Sequence, residues 1–199
     1  MKRKKNTKVW DALKQPQANY SIQAGWFEES KYSNGAPIGG IAAVQNYGAT
    51  INHPGGTAYF FSELAQRAVF ISSSSHLGHE LLSKGIKTKP HTIIIPPTHF
   101  MENCQNKNKE KWRKLIQDAW TSVFLGNIEA DKAMEQIGTV IEGDIADEIR
   151  LGDYPPDKPS TIQIKKSRYK DQKTEGNLGK RLVDTGQMLN SVSHKVIKK

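Results

Sequence analysis

The chain has 199 residues, 36% hydrophobic and 25% charged, with a net charge of +9 and a single cysteine. Such a composition is globular, one domain or one domain with appendages. It excludes an internal disulfide, and no stretch approaches the roughly 18 consecutive apolar residues of a membrane-spanning helix. The charge is uneven: residues 1–8 carry five Lys/Arg and no acid, residues 158–199 carry eleven against three, and residues 9–157 are left at −4. Basic ends on a mildly acidic body meet polyanions, either nucleic acid or an acidic protein surface. No apolar run follows the basic start "MKRKKNTKVWDALKQ", unlike a secretory leader, so a reducing cytoplasm is expected for Cys104.

Residues 1–19 read as a basic, mobile arm closed by Pro16. "YSIQAGWFEESKY" (20–32) alternates Ile22, Ala24 and Trp26, the period of a strand. Asn34-Gly35 and Pro37 mark a turn. Ile38, Ile41, Ala42 and Gln45 then share a helical face that ends at Gly48. Between 49 and 99 the pattern is β-like: "GTAYFFSE", "AVFISS" and "HTIIIPP" are strands, and "SSSSHLGHELLSKGIKTK" is a polar loop with one helical turn. Trp112, Leu115, Ile116, Ala119, Trp120, Val123 and Phe124 form an apolar helical stripe, stopped by Gly126, with Asn127 placed to cap the next helix. Met134, Ile137, Ile141, Ile145 and Ile149 form the second stripe, and the two predict an antiparallel helical hairpin at about 107–150. "DYPPDKPS" breaks the pattern, residues 161–180 read as a polar, basic loop or arm, and a short helix from about Thr185 and a strand "HKVIKK" close the chain. The fold class is therefore α+β: a small, mainly antiparallel sheet packed with a helical hairpin, long irregular loops and basic terminal extensions. Its body is residues 20–157, with a basic C-terminal arm at 158–199.

Candidate chemistry is sparse. Asp184-Thr185-Gly186, preceded by Leu182 and Val183, has the form of an aspartic-protease signature. Such a site needs a second Asp sharing a proton with the first, and enough following chain to build a cleft. Here "QMLNSV" follows at helical spacing, so Asp184 is read as a helix N-cap. His76 and His79 have H-x-x-H spacing without the H-E-x-x-H order, and are read as loop histidines alongside His91 and His99. Cys104 follows His99 closely, but adjacency supplies neither an orienting group nor an oxyanion hole. "HPGGT" lacks the spacing of a phosphate cradle and reads as a turn into a strand. Phe100 and Met101, after the stiff Pro96-Pro97 pair, plug an apolar space in the core or in a neighbouring subunit. No catalytic residue, metal site or cofactor is assigned.

Four stretches in order, "AGWFEES…PIGGIAAVQNYGAT", "HPGGTAYF…VFISS…TKPHTIIIPPTHFM", "AMEQIGTVIEGDIADEIRLG" and "PPDKPSTI…LVDTGQMLNSVSHKV", span about 24–196. Together they resemble the head–tail joining, or tail-completion, neck proteins of tailed bacteriophages, also called the virion morphogenesis family. That family is recognised by a "GWFE"-like strand before a helix ending E-[FY]-G, a P-x-R-P-F turn opening a helical hairpin, and a closing P-L-x-D-T-G-x-[ML]-x-x-S-[IV] segment. Here the matching residues are Asn46-Tyr47-Gly48, Pro97-Thr98-His99-Phe100 and Leu182 to Val192. Asn46 replaces the Glu and the usual Arg is missing before Phe100, so any subunit contact made by that Arg must differ. The resemblance implies a non-enzymatic ring subunit of the virion, assembled in the host cytoplasm and placed between capsid portal and tail. Its partners would be further copies of itself, neighbouring neck, head-completion or tail-terminator proteins, and genomic DNA passing non-specifically through the lumen. No membrane is involved. Under that reading Lys2, Arg3, Lys4, Lys5, Lys165, Lys166 and Arg168 face DNA, and Pro97, Phe100, Met101, Met188 and Leu189 meet neighbouring subunits. The rival readings are a tail terminator or minor tail protein, and a free basic DNA-binding protein.

Overall fold

The computed structural model describes residues 19–64, 67–168 and 179–198. In chain order the elements are β1 (Tyr20–Gly25), α1 (Ile38–Tyr47), β2 (Ala49–His53), β3 (Ala58–Ser62), β4 (Arg67–Ile71), α2 (His76–Ser83), β5 (His91–Ile95), α3 (Phe100–Phe124), α4 (Ala130–Leu151), α5 (Pro159–Arg168), α6 (Gln187–Asn190) and β6 (Ser193–Lys198). The class is α+β, and the strands pair as three separate antiparallel ribbons, β1–β6, β2–β5 and β3–β4. The chain divides into two compact units: residues up to 47 together with those from 98 onward, and residues 48–97.

The first unit is built on the α3–α4 hairpin. On α4 the residues Met134, Ile137, Ile145 and Ile149 are buried, following the helical period of the sequence pattern. α3 begins at Phe100, about two turns before the start near residue 107 that the sequence predicts, and Phe100 and Cys104 are buried on this added stretch. The hairpin turn differs from expectation. Gly126, at φ 71°, follows α3, and the N–H groups of Gly126 and Asn127 return to the carbonyls of Val123 and Ser122. That is the paired bonding of a glycine-terminated helix. Asn127 thus helps close α3, and Glu129 is the residue before α4, with no side-chain cap bond.

Two apolar clusters lie along the hairpin. One gathers Ile38 and Ala42 of α1, Phe100 and Cys104 of α3, Ile145 and Ile149 of α4, and Leu182, Val183, Met188 and Val192 of the C-terminal segment. The other gathers Val123, Ala133, Met134 and Ile137, with Tyr20, Ile22 and Val196 of the β1–β6 ribbon packed against it. The ribbon runs in register from Tyr20↔Lys198 to Gly25↔Ser193. The described parts of the C-terminal region, residues 159–168 and 179–198, are therefore built into the fold, and residues 169–178 of the expected arm lie outside the described residues. The four buried apolar side chains of the C-terminal segment are core, and residues 159–168, expected as loop, form helix α5. The expected N-terminal arm lies outside the described residues, apart from residue 19.

The second unit is composed of the β2–β5 and β3–β4 ribbons and α2. α2 has eight residues, longer than the single turn expected, because Ser75 caps it by accepting from the Gly78 N–H at 3.0 Å. Gly48 opens the unit at φ 76°, where a Cβ would sit 2.7 Å from the Ile95 carbonyl oxygen; only glycine fits.

Candidate functional site

The Asp-Thr-Gly segment lines a cavity of about 520 Å³ in the first unit, with Tyr32, Ile41, Asp157, Lys165 and Met188 among its other walls. The residue preceding α6 is Gly186, at φ 74°, and the first helical N–H, that of Gln187, is taken by the Thr185 hydroxyl at 3.2 Å. Asp184 is accordingly not the N-cap: the left-handed glycine intervenes and leaves its carboxylate two residues too early. Asp184 is exposed. After burial, its charge is the second cause that raises the Tyr32 phenol above its ordinary range. The other carboxylate on the cavity wall, Asp157, is held by Lys165 with an Nζ–Oδ2 separation of 2.7 Å.

Lys165 corrects the DNA-facing assignment. It is 6% exposed, and its Nζ donates to the carbonyls of Val183 at 2.8 Å and Lys180 at 3.0 Å. The contact to Asp157 is close enough for an ion pair, yet Asp157 Oδ2 has no hydrogen bond of good geometry. The distance governs the electrostatics, so the pair is real, and the directed bonds go to the two carbonyls. An ammonium tied in this way fastens α5 to the C-terminal segment and cannot reach a phosphate. Lys165→Met should therefore leave any DNA affinity unchanged within twofold, measured by salt-titrated fluorescence anisotropy. Lys165→Ala should lower stability by about 3–5 kcal/mol in urea melts, as it strands Asp157 and two carbonyls. Lys166 is exposed. Arg168 closes α5, and only its backbone is described; Lys2, Arg3, Lys4 and Lys5 lie outside the described residues.

A basic run on α3 was not singled out from sequence: Lys107, Lys109, Lys111, Arg113 and Lys114 are all exposed. Three of the five are matched, Lys107 by Glu148 at 2.8 Å, Lys111 by Asp144 at 2.6 Å and Arg113 by Glu110 at 3.2 Å. Trp112 Nε1 also donates to Asp144 at 2.7 Å. This face therefore joins α3 to α4 more than it offers charge to a polyanion.

The thiol of Cys104 is buried and pushed up to about 11, by burial first and then by the Asp144 and Glu148 charges. It is a protonated core group rather than a nucleophile. His99 is exposed and sits at the start of α3 with φ 54°. His76 and His79 lie on α2, and His53 stacks on His91 across the β2–β5 ribbon at 4.9 Å. Among the described residues no group of three or more His, Cys, Asp or Glu is placed to hold a metal ion.

The expected subunit contacts also need correction. Phe100 is fully buried, edge-on to Trp26 with ring centroids 6.0 Å apart. Met188 is buried beside it, and Met101 and Leu189 pack partly buried against the same cluster. Pro97 alone of the five is exposed. The large exposed apolar side chains concentrate in residues 48–97. Ile51, Ile93 and Ile94 stand on the β2–β5 ribbon, and Phe61 and Phe70 on β3–β4. Leu64, beyond β3, is 98% exposed. The legible signal was the loss of alternation: "HTIII" and "AYFFS" place apolar residues at successive positions, so both faces of a ribbon become apolar.

No protein-family model matches this chain, and no curated protein or solved structure matches it.

Proposed function

We propose that this chain is a non-catalytic structural subunit of a tailed-phage neck, closing into a ring around the DNA channel between capsid portal and tail. The observation that carries the reading is the apolar surface of residues 48–97. Two-stranded ribbons are marginal in water, and an exposed apolar patch marks an association surface. Ile94 is 66% exposed and Phe61 60%, on a unit that folds on few buried side chains of its own. The order of motifs in the sequence supports the same reading. Ring closure needs a heterologous contact, one surface meeting a different one on the next copy. The lumen needs only sequence-independent phosphate contacts, for which Lys166 and the basic N-terminal residues remain candidates.

Mass photometry of the purified chain, alone and then with portal-bearing capsids or isolated tails, tests the proposal. A ring, or addition to a capsid end, is expected. Phe61→Asp combined with Phe70→Asp should abolish that assembly while the circular dichroism spectrum stays unchanged. Addition to tails alone would favour a tail terminator instead. A monomer that ignores both particles and binds DNA with a steep salt dependence would replace the structural reading with a nucleic-acid one.

A further inference from the structure

His194 lies on β6, opposite Ala24 of β1, with its ring against the bare backbone of Gly138 on α4. A Cβ at position 138 would sit 2.1 Å from the ring, so the glycine makes the groove the imidazole fills. The ring is flanked along α4 by two glutamates. Nδ1 lies 2.7 Å from Glu142 Oε2, and Nε2 lies 3.0 Å from Glu135 Oε2. A neutral imidazole has one N–H and one lone pair, so it can serve only one carboxylate and would turn its lone pair toward the other. Serving both requires the doubly protonated ring.

We infer that His194 is a proton-operated latch: as the imidazolium it clamps the C-terminal strand β6 to α4, and its deprotonation loosens that strand. The charged groups around it are few. α4 presents Glu135 and Glu142, while the described part of β1 places Ala24 opposite and carries no charged side chain beside it. On β6 itself, Lys195 is committed to Glu29 at 2.8 Å and to the ring of Phe27, and Lys198 to Asp131 and the ring of Tyr20. The hydrogen bond to Glu142, then that to Glu135, raise the His194 pKa above its usual value against the opposing effect of burial. A folded value above the unfolded one means that the stabilisation is complete below about pH 6.5 and is lost as pH rises through the folded value. The latch matters because β6 covers both β1 and α4, so its release uncovers Ile22 and Val196 together.

The test is a pH titration of the full chain, following the His194 ring by NMR and the β6 backbone amides by hydrogen exchange. In the wild type His194 should titrate above about 6.5. Opening of β6, corrected for intrinsic exchange, should grow by up to about tenfold per pH unit between that value and the folded one. The double variant Glu135→Gln/Glu142→Gln keeps the ring and its hydrogen-bond acceptors, and should return the titration to its ordinary range and flatten the β6 profile. His194→Gln should flatten it too. A wild-type His194 that titrates at or below its ordinary value overturns the latch. So does a β6 profile that keeps the wild-type pH dependence in either variant.

Discussion

Phe100→Ala will lower the stability of the chain by about 3–5 kcal/mol, read as a shift in the urea midpoint with an unchanged slope. The ring is fully buried and meets Trp26 edge-on, with Ile38, Cys104 and Ile149 in the same cluster. Truncation removes the transfer energy of the ring and leaves a void that α1, α3 and α4 cannot all close upon. The result separates two roles for this residue. An interface side chain would leave the monomer's stability within about 0.5 kcal/mol and change only its association. A core side chain does the reverse, and an unchanged midpoint would return Phe100 to the interface.

Asn46→Ala should cost about 2–4 kcal/mol by the same measurement, more than its size suggests. Asn46 lies in the last turn of α1 and is 2% exposed. Its Oδ1 accepts the Met101 N–H at 3.0 Å, and its Nδ2 donates to Glu102 Oε1 at 3.2 Å. Its own carbonyl accepts from the Thr98 and His99 N–H groups. His99 offers α3 no side-chain cap, so Asn46 supplies from another helix what the residue at the helix start usually provides. Alanine strands a buried N–H and a carboxylate whose Oε2 already lacks a partner. Asn46→Asp keeps the acceptor but sets a carboxylate against Glu102. It should cost at least as much at neutral pH. If Asn46→Ala melts like the wild type, the α1–α3 link is not held by this side chain.

Both predictions turn on residues whose role a linear reading leaves open. Phe100 follows a proline pair and reads as a plug for either the core or a neighbouring subunit, and its full burial beside Trp26 makes it core. Asn46 looks like an unremarkable polar position before a helix-ending glycine. Lys165 sits in a basic stretch and reads as a phosphate contact, yet two backbone carbonyls and Asp157 hold it inside. Asp184 has a side chain suited to capping, but Gly186 takes the left-handed conformation between it and the helix. In each case the deciding partner is distant in sequence, or the deciding feature is a backbone angle, and neither appears in residue type or spacing.

What the sequence by itself determined is what depends on local period and local backbone freedom. The two apolar stripes set the α3–α4 hairpin because a helix repeats its face every 3.6 residues. Pro37, with its φ fixed, directly precedes α1, while Gly48 and Gly126 follow α1 and α3 at the positive φ that glycine adopts without a Cβ clash. The strands at 20–25 and 193–198 are likewise visible, and the α+β class follows from the mixture. Tertiary structure decided the pairings. It joined β1 to β6 across almost the whole chain, gathered residues 48–97 into a unit of their own, and drew Leu182, Val183 and Met188 into the core. It also set His194 between two glutamates one helical heptad apart. Burial is a property of the folded volume rather than of the string: a lysine or an asparagine becomes structural once distant groups have removed its water and replaced each lost hydrogen bond.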